Sequence, residues 1–394
     1  MKADFLKHQA QTTTHPLALE ISHAKGSYVY DVAGKSYLDF VAGVSANSLG
    51  HNHPKISEAI KKQVDLYTHV MVYGEFIQQP SLDLCKLLAA QLPASLSCVY
   101  LTNSGTEATE GAMKLAKRFT KRSGMIAAKN AYHGNTQGAM SVSGAEGQNR
   151  AFRPLVPGVQ FISFNDSADL QKITRETAGV ILETIQGGAG FVTPQNDYLA
   201  KVRKRCDEVG ALLLLDEIQT GIGRTGKLFG FENYNVVPDI IITGKGLGGG
   251  MPIGAFIASK PLMDCLKEKP ALGHITTFGG HPLIAAAALA TLKEVATSNL
   301  MEESLRKEKL FRSLLTHPEV LEIRGKGLML AALVKSSEIA SQVILKCMDR
   351  GLLLFWLLFE GRAIRITPPL TISDNEIRVG CKILLEVLDE VLSN

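Results

Sequence analysis

The hydrophobic positions of the chain form short runs separated by longer stretches with helical periodicity. Seven such runs, beginning after about residue 80, cover residues 98–102, 125–128, 159–164, 179–183, 211–216, 239–243 and 254–259. They are short, often β-branched and apolar at consecutive positions, which is typical of strands covered on both faces. The pattern therefore predicts an α/β domain built on a large, mostly parallel sheet of seven strands.

Two flanking regions have a different pattern. Residues 27–40 predict two short strands around a turn at Ala33 and Gly34. After Gly280, helical patterns at 282–295 and 300–315 precede strand-like segments near 320–324 and 363–366, and an amphipathic helix at 374–392 follows. This tail predicts a smaller α+β domain. We therefore divide the chain into an N-terminal segment that joins the smaller domain (1–46), a large domain (47–281) and a C-terminal small domain (282–394).

Composition and charge narrow the possible partners. The chain has 394 residues, 45% of them hydrophobic, so it can bury a core without disulfides or a structural metal. Its 42 Lys and Arg against 38 Asp and Glu give a net charge of +4. A nucleic-acid surface would need concentrated basic charge, and the basic runs at 114–122 and 201–205 are interpreted as solvated helix faces. We therefore expect no nucleic-acid partner.

The cysteines and the apolar runs indicate the compartment. The six cysteines are scattered and form no CxxC pair, which is typical of a reducing cytosol. The N-terminal residues lack the apolar core of a signal peptide. The longest apolar run, LLLFWLLF at 352–359, has eight residues, whereas a membrane helix needs about twenty. We expect a cytoplasmic protein with no membrane partner.

Candidate chemistry follows three of the predicted strands. In open α/β sheets, ligands bind beyond the carboxyl ends of the strands. The run at 98–102 is followed by NSGTEA and a helical pattern, which could bind phosphate or be a plain helix cap. Asp216 ends the run at 211–216, and a buried carboxylate there requires a cation or donors. Lys245 follows the run at 239–243 and lies among five glycines.

One cofactor matches all three strand ends. Pyridoxal phosphate needs a lysine for covalent attachment, an acid that keeps its ring nitrogen protonated, and an anion site for its phosphate. Glycines around Lys245 let the backbone approach a planar ligand closely. Each feature is weak alone, and their combination in one domain favours a pyridoxal-phosphate site.

Two other sites are disfavoured. The segment GIGRTGK at 221–227 is similar to a P-loop, but Leu228 occupies the position of the magnesium-binding hydroxyl and the acidic strand precedes the loop. His51 and His53 have a metal-ligand spacing, but no third ligand is evident nearby, so we interpret GHNHP as a structural turn. A nucleotide-binding or non-catalytic protein therefore stays a remote alternative.

The longer motifs resemble those of a known family. LLLLDEIQTGIGRTG, followed by PDIIITGKGLGGGMPIGA, is similar to the signature of class III aminotransferases, which are fold-type-I pyridoxal-phosphate enzymes. The motifs DVAGKSYLDF, GHNHP, NSGTEATEGAMKLA, NAYHG, TTFGGHP and IRITPPLTI extend the resemblance over almost the whole chain. Within the family, the chain most resembles acetylornithine and ornithine aminotransferases.

The resemblance implies roles for individual residues. Lys245 would attach the cofactor and shuttle a proton, Asp216 would hold the ring nitrogen, and Gln219 would bind the ring hydroxyl. The other implied contacts are Ser104, Gly105 and Thr106 at the phosphate, Tyr132 on the ring face, Glu183 near the cofactor, Thr277 at the phosphate of a neighbouring subunit and Arg365 on a substrate carboxylate. A residue that reaches a neighbour's phosphate implies a homodimer with composite active sites.

Three positions of the substrate shell depart from the pattern of the acetylornithine and ornithine enzymes. Asn135 replaces an arginine that binds a second carboxylate, and Gly188 replaces a glutamate that masks the substrate-binding arginine. Val44 stands where ornithine enzymes have a tyrosine. Asn135 therefore predicts a weaker preference for 2-oxoglutarate than arginine-bearing relatives have.

These features predict an aminotransferase with ping-pong kinetics. The resemblance favours transfer from the ω-amine of an acetylornithine- or ornithine-like donor to a 2-oxo acid. Donors of the 4-aminobutyrate, lysine or β-alanine type stay open. So do decarboxylation and racemisation, because Lys245 and Asp216 would serve those reactions equally well.

Overall fold

The computed structural model describes residues 1–393, whose fifteen strands form three sheets. The strands are β1 (Ile21–Lys25), β2 (Tyr28–Asp31), β3 (Ser36–Asp39), β4 (Cys98–Thr102), β5 (Gly124–Ala128), β6 (Val159–Ile162), β7 (Thr177–Glu183), β8 (Leu212–Asp216), β9 (Ile240–Gly244), β10 (Gly254–Ala258), β11 (Glu322–Lys326), β12 (Met329–Leu333), β13 (Leu352–Leu353), β14 (Phe355–Trp356) and β15 (Ala363–Ile366). All seven runs of the predicted large sheet form strands.

Thirteen α-helices accompany these strands in residues 1–393. They are α1 (Lys2–His8), α2 (Ala42–Ser45), α3 (Pro54–Leu66), α4 (Gln79–Ala90), α5 (Gly105–Thr120), α6 (Gln137–Val142), α7 (Glu146–Asn149), α8 (Tyr198–Val209), α9 (Lys260–Asp264), α10 (Pro282–Thr297), α11 (Leu300–Leu314), α12 (Ser337–Asp349) and α13 (Asp374–Ser393). The helices predicted after Gly280 form within a few residues of their expected ends.

The large sheet confirms the predicted fold class. Its order is β4-β10-β9-β8-β7-β5-β6, and β10 alone runs antiparallel to its two neighbours. Every residue of β7, β8, β9 and β10 is buried. Leu213 and Leu215 pack into one hydrophobic core, and Leu212 and Leu214 pack into another on the opposite face. Burial on both faces explains why the strands appear as continuous apolar runs.

The direction of these strands positions the chemistry. Parallel strands end at the same edge of a sheet, so Asp216 at the end of β8 and Lys245 directly after β9 lie at one edge. Glu183 ends β7 and pairs in register with Asp216. Helix α5 begins three residues after β4, at the same edge.

The smaller sheets build a second core. Strands β1, β2, β3 and β13 form one sheet, and β11, β12, β15 and β14 form the other. The parallel pairing of Leu38 with Leu352 joins the N-terminal segment to the C-terminal region. Phe40, Phe311 and Ile377 lie in the core that these elements share with α12 and α13. Strand β12, which the sequence pattern did not reveal, is fully buried at the centre of its sheet.

Helix α10 packs against α3 and α4, and its Ala285, Leu292 and Val295 lie in the core of the large sheet. The division at 281/282 stays a prediction. Among residues 1–393, no single helix is long and apolar enough to cross a membrane. The pair α10 and α11, bent by 70°, passes that test by length and composition only.

Candidate active site

A cavity of about 340 Å³ opens at the carboxyl edge of the large sheet. Ten of the twelve site residues expected from the sequence line it, and Ser104 and Thr277 do not. The lining residues are Val44, Gly105, Thr106, Tyr132, His133, Gly134, Asn135, Glu183, Ile185, Gly188, Asp216, Ile218, Gln219, Thr220, Lys245, Leu358 and Arg365. The large sheet supplies the floor, and the C-terminal region supplies Leu358 and Arg365.

Asp216 is held from two sides. The Nδ1 of the buried His133 lies 2.7 Å from its Oδ2, and the backbone N–H of Ile218 donates to its Oδ1 at 2.9 Å. Burial opposes the charged form of His133, but the Asp216 carboxylate raises the pKa of the imidazole above its ordinary value. The two contacts therefore fix the orientation of the Asp216 carboxyl group, to which a protonated ring nitrogen could bind.

Lys245 stands at the first residue after β9 with an unusual backbone. Its φ of 39° lies in the left-handed region, which non-glycine residues rarely adopt and which concentrates at functional sites. Burial lowers the pKa of its ammonium, and the charge of Arg365 lowers it further, whereas Asp216 acts in the opposite direction. A lowered pKa favours the neutral amine, which is the nucleophilic form.

The first turn of α5 presents an anion site. Ser104 is the N-cap, and its hydroxyl accepts a hydrogen bond from the Glu107 N–H at 3.3 Å. The N–H groups of Gly105 and Thr106 have no acceptor within residues 1–393. A Cβ at position 105 would lie 2.6 Å from the Ile218 side chain, which would have to move to admit it. Free N–H groups at a helix N-terminus are suited to phosphate.

Tyr132 and Glu183 form the side wall. Glu183 accepts hydrogen bonds from the backbone N–H groups of Tyr132, at 3.2 Å, and Gly187, at 2.8 Å. Burial raises the pKa of Glu183 to about 7, and the nearby Asp216 acts in the same direction. Glu183 is thus positioned by the backbone, and it fixes the start of the segment that carries Tyr132.

Val44 and Gln219 also line the cavity. Val44 lies in α2 with a left-handed φ of 58°, and the side-chain amide of Gln219 donates to the Ser45 hydroxyl at 3.3 Å. A Cβ at Gly187 would lie 2.8 Å from the Gln219 amide oxygen. The Gln219 side chain is therefore confined between two backbone segments.

Arg365, on β15, is a buried charge that lines the cavity. Its side chain is 6% exposed and packs over the Phe191 ring, with 5.7 Å from Cζ to the ring centroid. The Nη2 has one long contact, 3.5 Å, with the Trp356 carbonyl, whereas Nε and Nη1 have no partner. Burial lowers the pKa of Arg365 to about 10. An unpaired guanidinium that lines a cavity is a site for a carboxylate.

Thr277 lies outside the cavity lining. The Asn103 amide donates to the hydroxyl of its neighbour Thr276 at 3.0 Å, which ties this loop to the start of α5. Leu272, Ile275 and Phe278 around it are exposed. Its expected role at a neighbour's phosphate stays a prediction.

Sequence reasoning missed six lining residues: His133, Gly134, Ile185, Ile218, Thr220 and Leu358. His133 directly follows Tyr132 in the NAYHG motif, and Ile218 lies between Asp216 and Gln219, so both were adjacent to predicted residues. Leu358 belongs to the longest apolar run, whose length was weighed only against a membrane helix.

The interpretation of GHNHP as a turn fits the described contacts. The Nε2 of His51 lies 2.7 Å from the Asp39 carboxylate, and His51 and Gly26 form an isolated bridge. Among residues 1–393, no group of three or more His, Cys, Asp and Glu side chains could hold a metal ion.

The donor set fits pyridoxal phosphate. Two free backbone N–H groups suit its phosphate, the Asp216–His133 pair suits its ring nitrogen, and Lys245 with a lowered pKa suits its aldehyde. The Tyr132 ring and the Ile218 side chain offer apolar surfaces to a flat ring.

Comparisons with known proteins agree with this chemistry. The family described as aminotransferase class-III matches residues 9–388. The acetylornithine aminotransferase of Caldanaerobacter subterraneus subsp. tengcongensis is 42% identical over 379 residues, covering 93% of this chain and 94% of that protein. The putrescine aminotransferase of Pectobacterium atrosepticum is 38% identical over 408 residues, covering 98% and 86%. The ornithine aminotransferase structure from Toxoplasma gondii superimposes with a TM-score of 0.92 at 32% identity, covering 99% and 94%.

Proposed function

The chain belongs to the class III aminotransferases, which use pyridoxal phosphate, and we propose that it moves an amino group from a carboxylate-bearing amine to a 2-oxo acid. The observation that supports this proposal is one cavity that contains Lys245, Asp216 and the unpaired Arg365. Together they supply a nucleophilic amine, a fixed negative charge and a carboxylate site.

When bound, pyridoxal phosphate supplies an electron sink that stabilises negative charge on the substrate carbon. We assign the proton transfer to Lys245. Its Nζ would remove the proton from the donor carbon and, in the second half of the reaction, deliver a proton to the carbon that becomes the new amino acid. Asp216 would hold a proton on the ring nitrogen, and His133 keeps the carboxylate oriented through its 2.7 Å contact.

The remaining assignments concern binding and orientation. The N–H groups of Gly105 and Thr106 would bind the phosphate, Tyr132 would cover the ring, and Gln219 would bind the ring hydroxyl. Glu183 positions the Tyr132 backbone, as its hydrogen bonds indicate. Ser104 acts through the α5 cap.

The amino donor is assigned only by class. Relatives named acetylornithine and putrescine aminotransferases make the ω-amine of an acetylornithine- or ornithine-like donor the first candidate. The test supplies acetylornithine, ornithine, 4-aminobutyrate, lysine and β-alanine with 2-oxoglutarate or pyruvate. Formation of one new amino acid per 2-oxo acid consumed supports transamination. Carbon dioxide release or loss of chirality without a 2-oxo acid overturns it in favour of decarboxylation or racemisation.

We further propose that a second copy of the chain covers one apolar surface. This surface comprises the exposed side chains of Val70, Met71, Phe76, Ile77, Leu272, Ile275 and Phe278. Its two segments are adjacent, since the His69 and Phe278 rings lie 4.8 Å apart, and Ile77 is 88% exposed. Exposed apolar patches of this kind mark interfaces. Thr277 lies within the surface, so a homodimer would place it near a partner's site.

Light scattering tests the dimer. Ile77→Asp should give a monomer, because a charge would be buried in the interface, while the control Leu392→Asp, also on an exposed leucine, should not change the mass. A monomeric wild-type protein would overturn the proposal.

All six cysteines are free, which supports the proposed cytoplasmic location.

A further inference from the structure

The short element α2 winds with the opposite hand to an ordinary helix. Its residues Ala42, Gly43, Val44 and Ser45 have φ angles of 50°, 58°, 58° and 67°, so all four lie in the left-handed region. Residues with a Cβ are unfavourable in this region and normally enter it singly. A β-branched residue such as Val44 is the least suited to it. This left-handed turn is therefore a strained segment that its surroundings must hold.

Asp39 holds the start of the left-handed turn. Its Oδ1 accepts hydrogen bonds from the N–H groups of Val41, at 2.7 Å, and Ala42, at 3.0 Å. Its Oδ2 lies 2.7 Å from the Nε2 of His51, and two backbone hydrogen bonds between His51 and Gly26 fix that histidine in turn. The motifs DVAGKSYLDF and GHNHP therefore meet at the start of the turn.

Thr367 holds the turn from the C-terminal region. Its N–H donates to the Phe40 carbonyl at 2.7 Å, and its hydroxyl donates to the Val41 carbonyl at 3.0 Å. Thr367 follows Arg365 by two residues along the chain. The left-handed turn is thus attached directly to the segment that carries the unpaired guanidinium.

The other side of the turn contacts residues assigned to the cofactor. The Gln219 amide donates to the Ser45 hydroxyl at 3.3 Å. A Cβ at Gly246, the neighbour of Lys245, would lie 3.4 Å from the Ser45 carbonyl oxygen. Val44 itself lines the cavity. The turn therefore lies between the end of β15 and the residues expected around the cofactor ring.

These contacts belong to one chain. Asp39, Ala42, Ser45 and Thr367 are each at most 3% exposed, and their hydrogen bonds all have partners within the same chain. A second copy of the chain therefore does not replace them. Strain of this kind concentrates at functional sites, where a fixed geometry is needed.

We propose that Asp39 and Thr367 are positioning residues for the active site. By holding the left-handed turn, they keep Val44 in the cavity lining and the Gln219 amide oriented toward the ring hydroxyl. This inference rests on the proposed function, since it takes Gln219 to contact the cofactor. Neither positioning residue lines the cavity, and both act through the backbone of the turn.

Thermal unfolding tests whether the turn is strained, and it needs no substrate. Glycine adopts a left-handed φ without steric conflict, so Val44→Gly should leave the melting temperature unchanged or raise it. The control Val64→Gly lies in the ordinary helix α3 and should lower it, although Val64 is 46% exposed and Val44 is more buried. A larger loss for Val44→Gly than for Val64→Gly would overturn the inference.

The visible absorption of the bound cofactor tests the role of Asp39. Asp39→Asn keeps the shape of the side chain but loses the charge that strengthens its hydrogen bonds, so the Gln219 amide should shift relative to the ring. The pH midpoint of the absorption change in the holoenzyme should move by about half a unit or more. The control is Asp31→Asn, because Asp31 likewise accepts two backbone N–H groups, both at 2.9 Å, outside the cavity lining. Equal midpoints in Asp39→Asn and Asp31→Asn would overturn the assignment of Asp39.

Two substitutions separate positioning by Thr367 from simple packing. Thr367→Val removes the hydroxyl and keeps the shape, whereas Thr367→Ser keeps the hydroxyl and removes a methyl group. With the donor that the wild type uses best, kcat/KM should fall about tenfold or more in Thr367→Val and less than about threefold in Thr367→Ser. The reverse order would overturn the assignment of Thr367 while transamination stands. A wild-type protein that transfers no nitrogen rejects the proposed function instead, and the melting and absorption measurements then decide the inference.

Discussion

Asp216 in the floor of the cavity and Arg365 near its roof, the side supplied by the C-terminal region, are both buried charges, but the protein surrounds them differently. Asp216 contacts His133 at 2.7 Å and accepts the Ile218 N–H at 2.9 Å. Arg365 has a single long contact, and two of its nitrogens have no partner. The floor charge therefore has its partners within the chain, whereas the charge near the roof is left for the carboxylate that we propose as part of the substrate.

This difference follows from how each region is built. The floor consists of strand ends of one sheet, whose spacing is fixed by backbone hydrogen bonds. The roof consists of β15 and the apolar run, which contact the segment 185–191 through side chains and one backbone hydrogen bond. A regular sheet suits a cofactor with unchanging demands, whereas loops and side-chain packing can vary with the substrate.

The largest effect should come from the floor. Lys245→Ala removes the proposed proton carrier, so kcat should fall about 10⁴-fold, the upper range for loss of a general acid–base group. The visible absorption of the lysine-bound cofactor should disappear as well. Stopped-flow and steady-state assays measure both, with Lys227→Ala as a control in a nearby loop. Full turnover by Lys245→Ala would contradict the assignment of Lys245 as the proton carrier.

Neutralising Asp216 should have the next largest effect. Asp216→Asn keeps the shape but loses the charge that holds the ring proton, so kcat should fall about 10²- to 10³-fold with a smaller change in KM. His133→Gln should cost less, about tenfold, and should shift the pH profile, since the carboxylate raises the pKa of His133. If His133→Gln cost as much as Asp216→Asn, the two residues would act as one unit.

Arg365 should show the opposite kinetic pattern. Arg365→Gln removes a charged hydrogen-bond donor worth about 2–3 kcal/mol, so kcat/KM for carboxylate substrates should fall about 30- to 150-fold, mostly through KM. A primary amine without a carboxylate should gain relative to the wild type, because no buried cation is left unpaired. Equal losses for both substrate types would mean that Arg365 supports the structure of the roof and does not bind the carboxylate.

The floor was also the part that the sequence could predict. Strands buried on both faces appear as apolar runs, and Asp216 and Lys245 come directly after two of them. Local sequence therefore indicates both the element and the chemistry at its end. The contact between His133 and Asp216, 83 residues apart, escaped notice because no local pattern joins the two residues.

The roof depends on contacts that no local pattern contains. The run 352–359 is divided between β13 and β14, and its position follows from the pairing of Leu352 with Leu38, over 300 residues away. The packing of Phe359 on Gly188 joins two segments whose sequences give no sign of each other. Arg365 was assigned through the family resemblance alone. The sequence could therefore predict this residue but not the shape of the cavity around it.

The smallest expected effect separates stability from substrate binding within the floor. Glu217 is fully buried beside Asp216 and accepts hydrogen bonds from Thr184, Thr220 and the N–H groups of Gly230 and Phe231 at 2.5–2.7 Å. Burial raises its pKa to about 7, above the ordinary 4.5, despite these donors. A raised pKa means that the folded protein binds the proton more tightly, so this contribution to stability is complete below about pH 4.5 and is lost as the pH rises through 7.

Glu217→Gln keeps the shape of the side chain without its titration. At pH 5 the variant should be less stable than the wild type by about 1–2 kcal/mol, because the amide cannot accept all four hydrogen bonds. The difference should shrink between pH 5 and pH 8, because the wild type alone ionises a buried group over that interval. Urea unfolding at several pH values measures it, with Glu208→Gln on the exposed end of α8 as the control. A difference that grew with pH would show that the four donors stabilise the ionised form more than burial opposes it. KM should stay unchanged in either case, since Glu217 does not line the cavity.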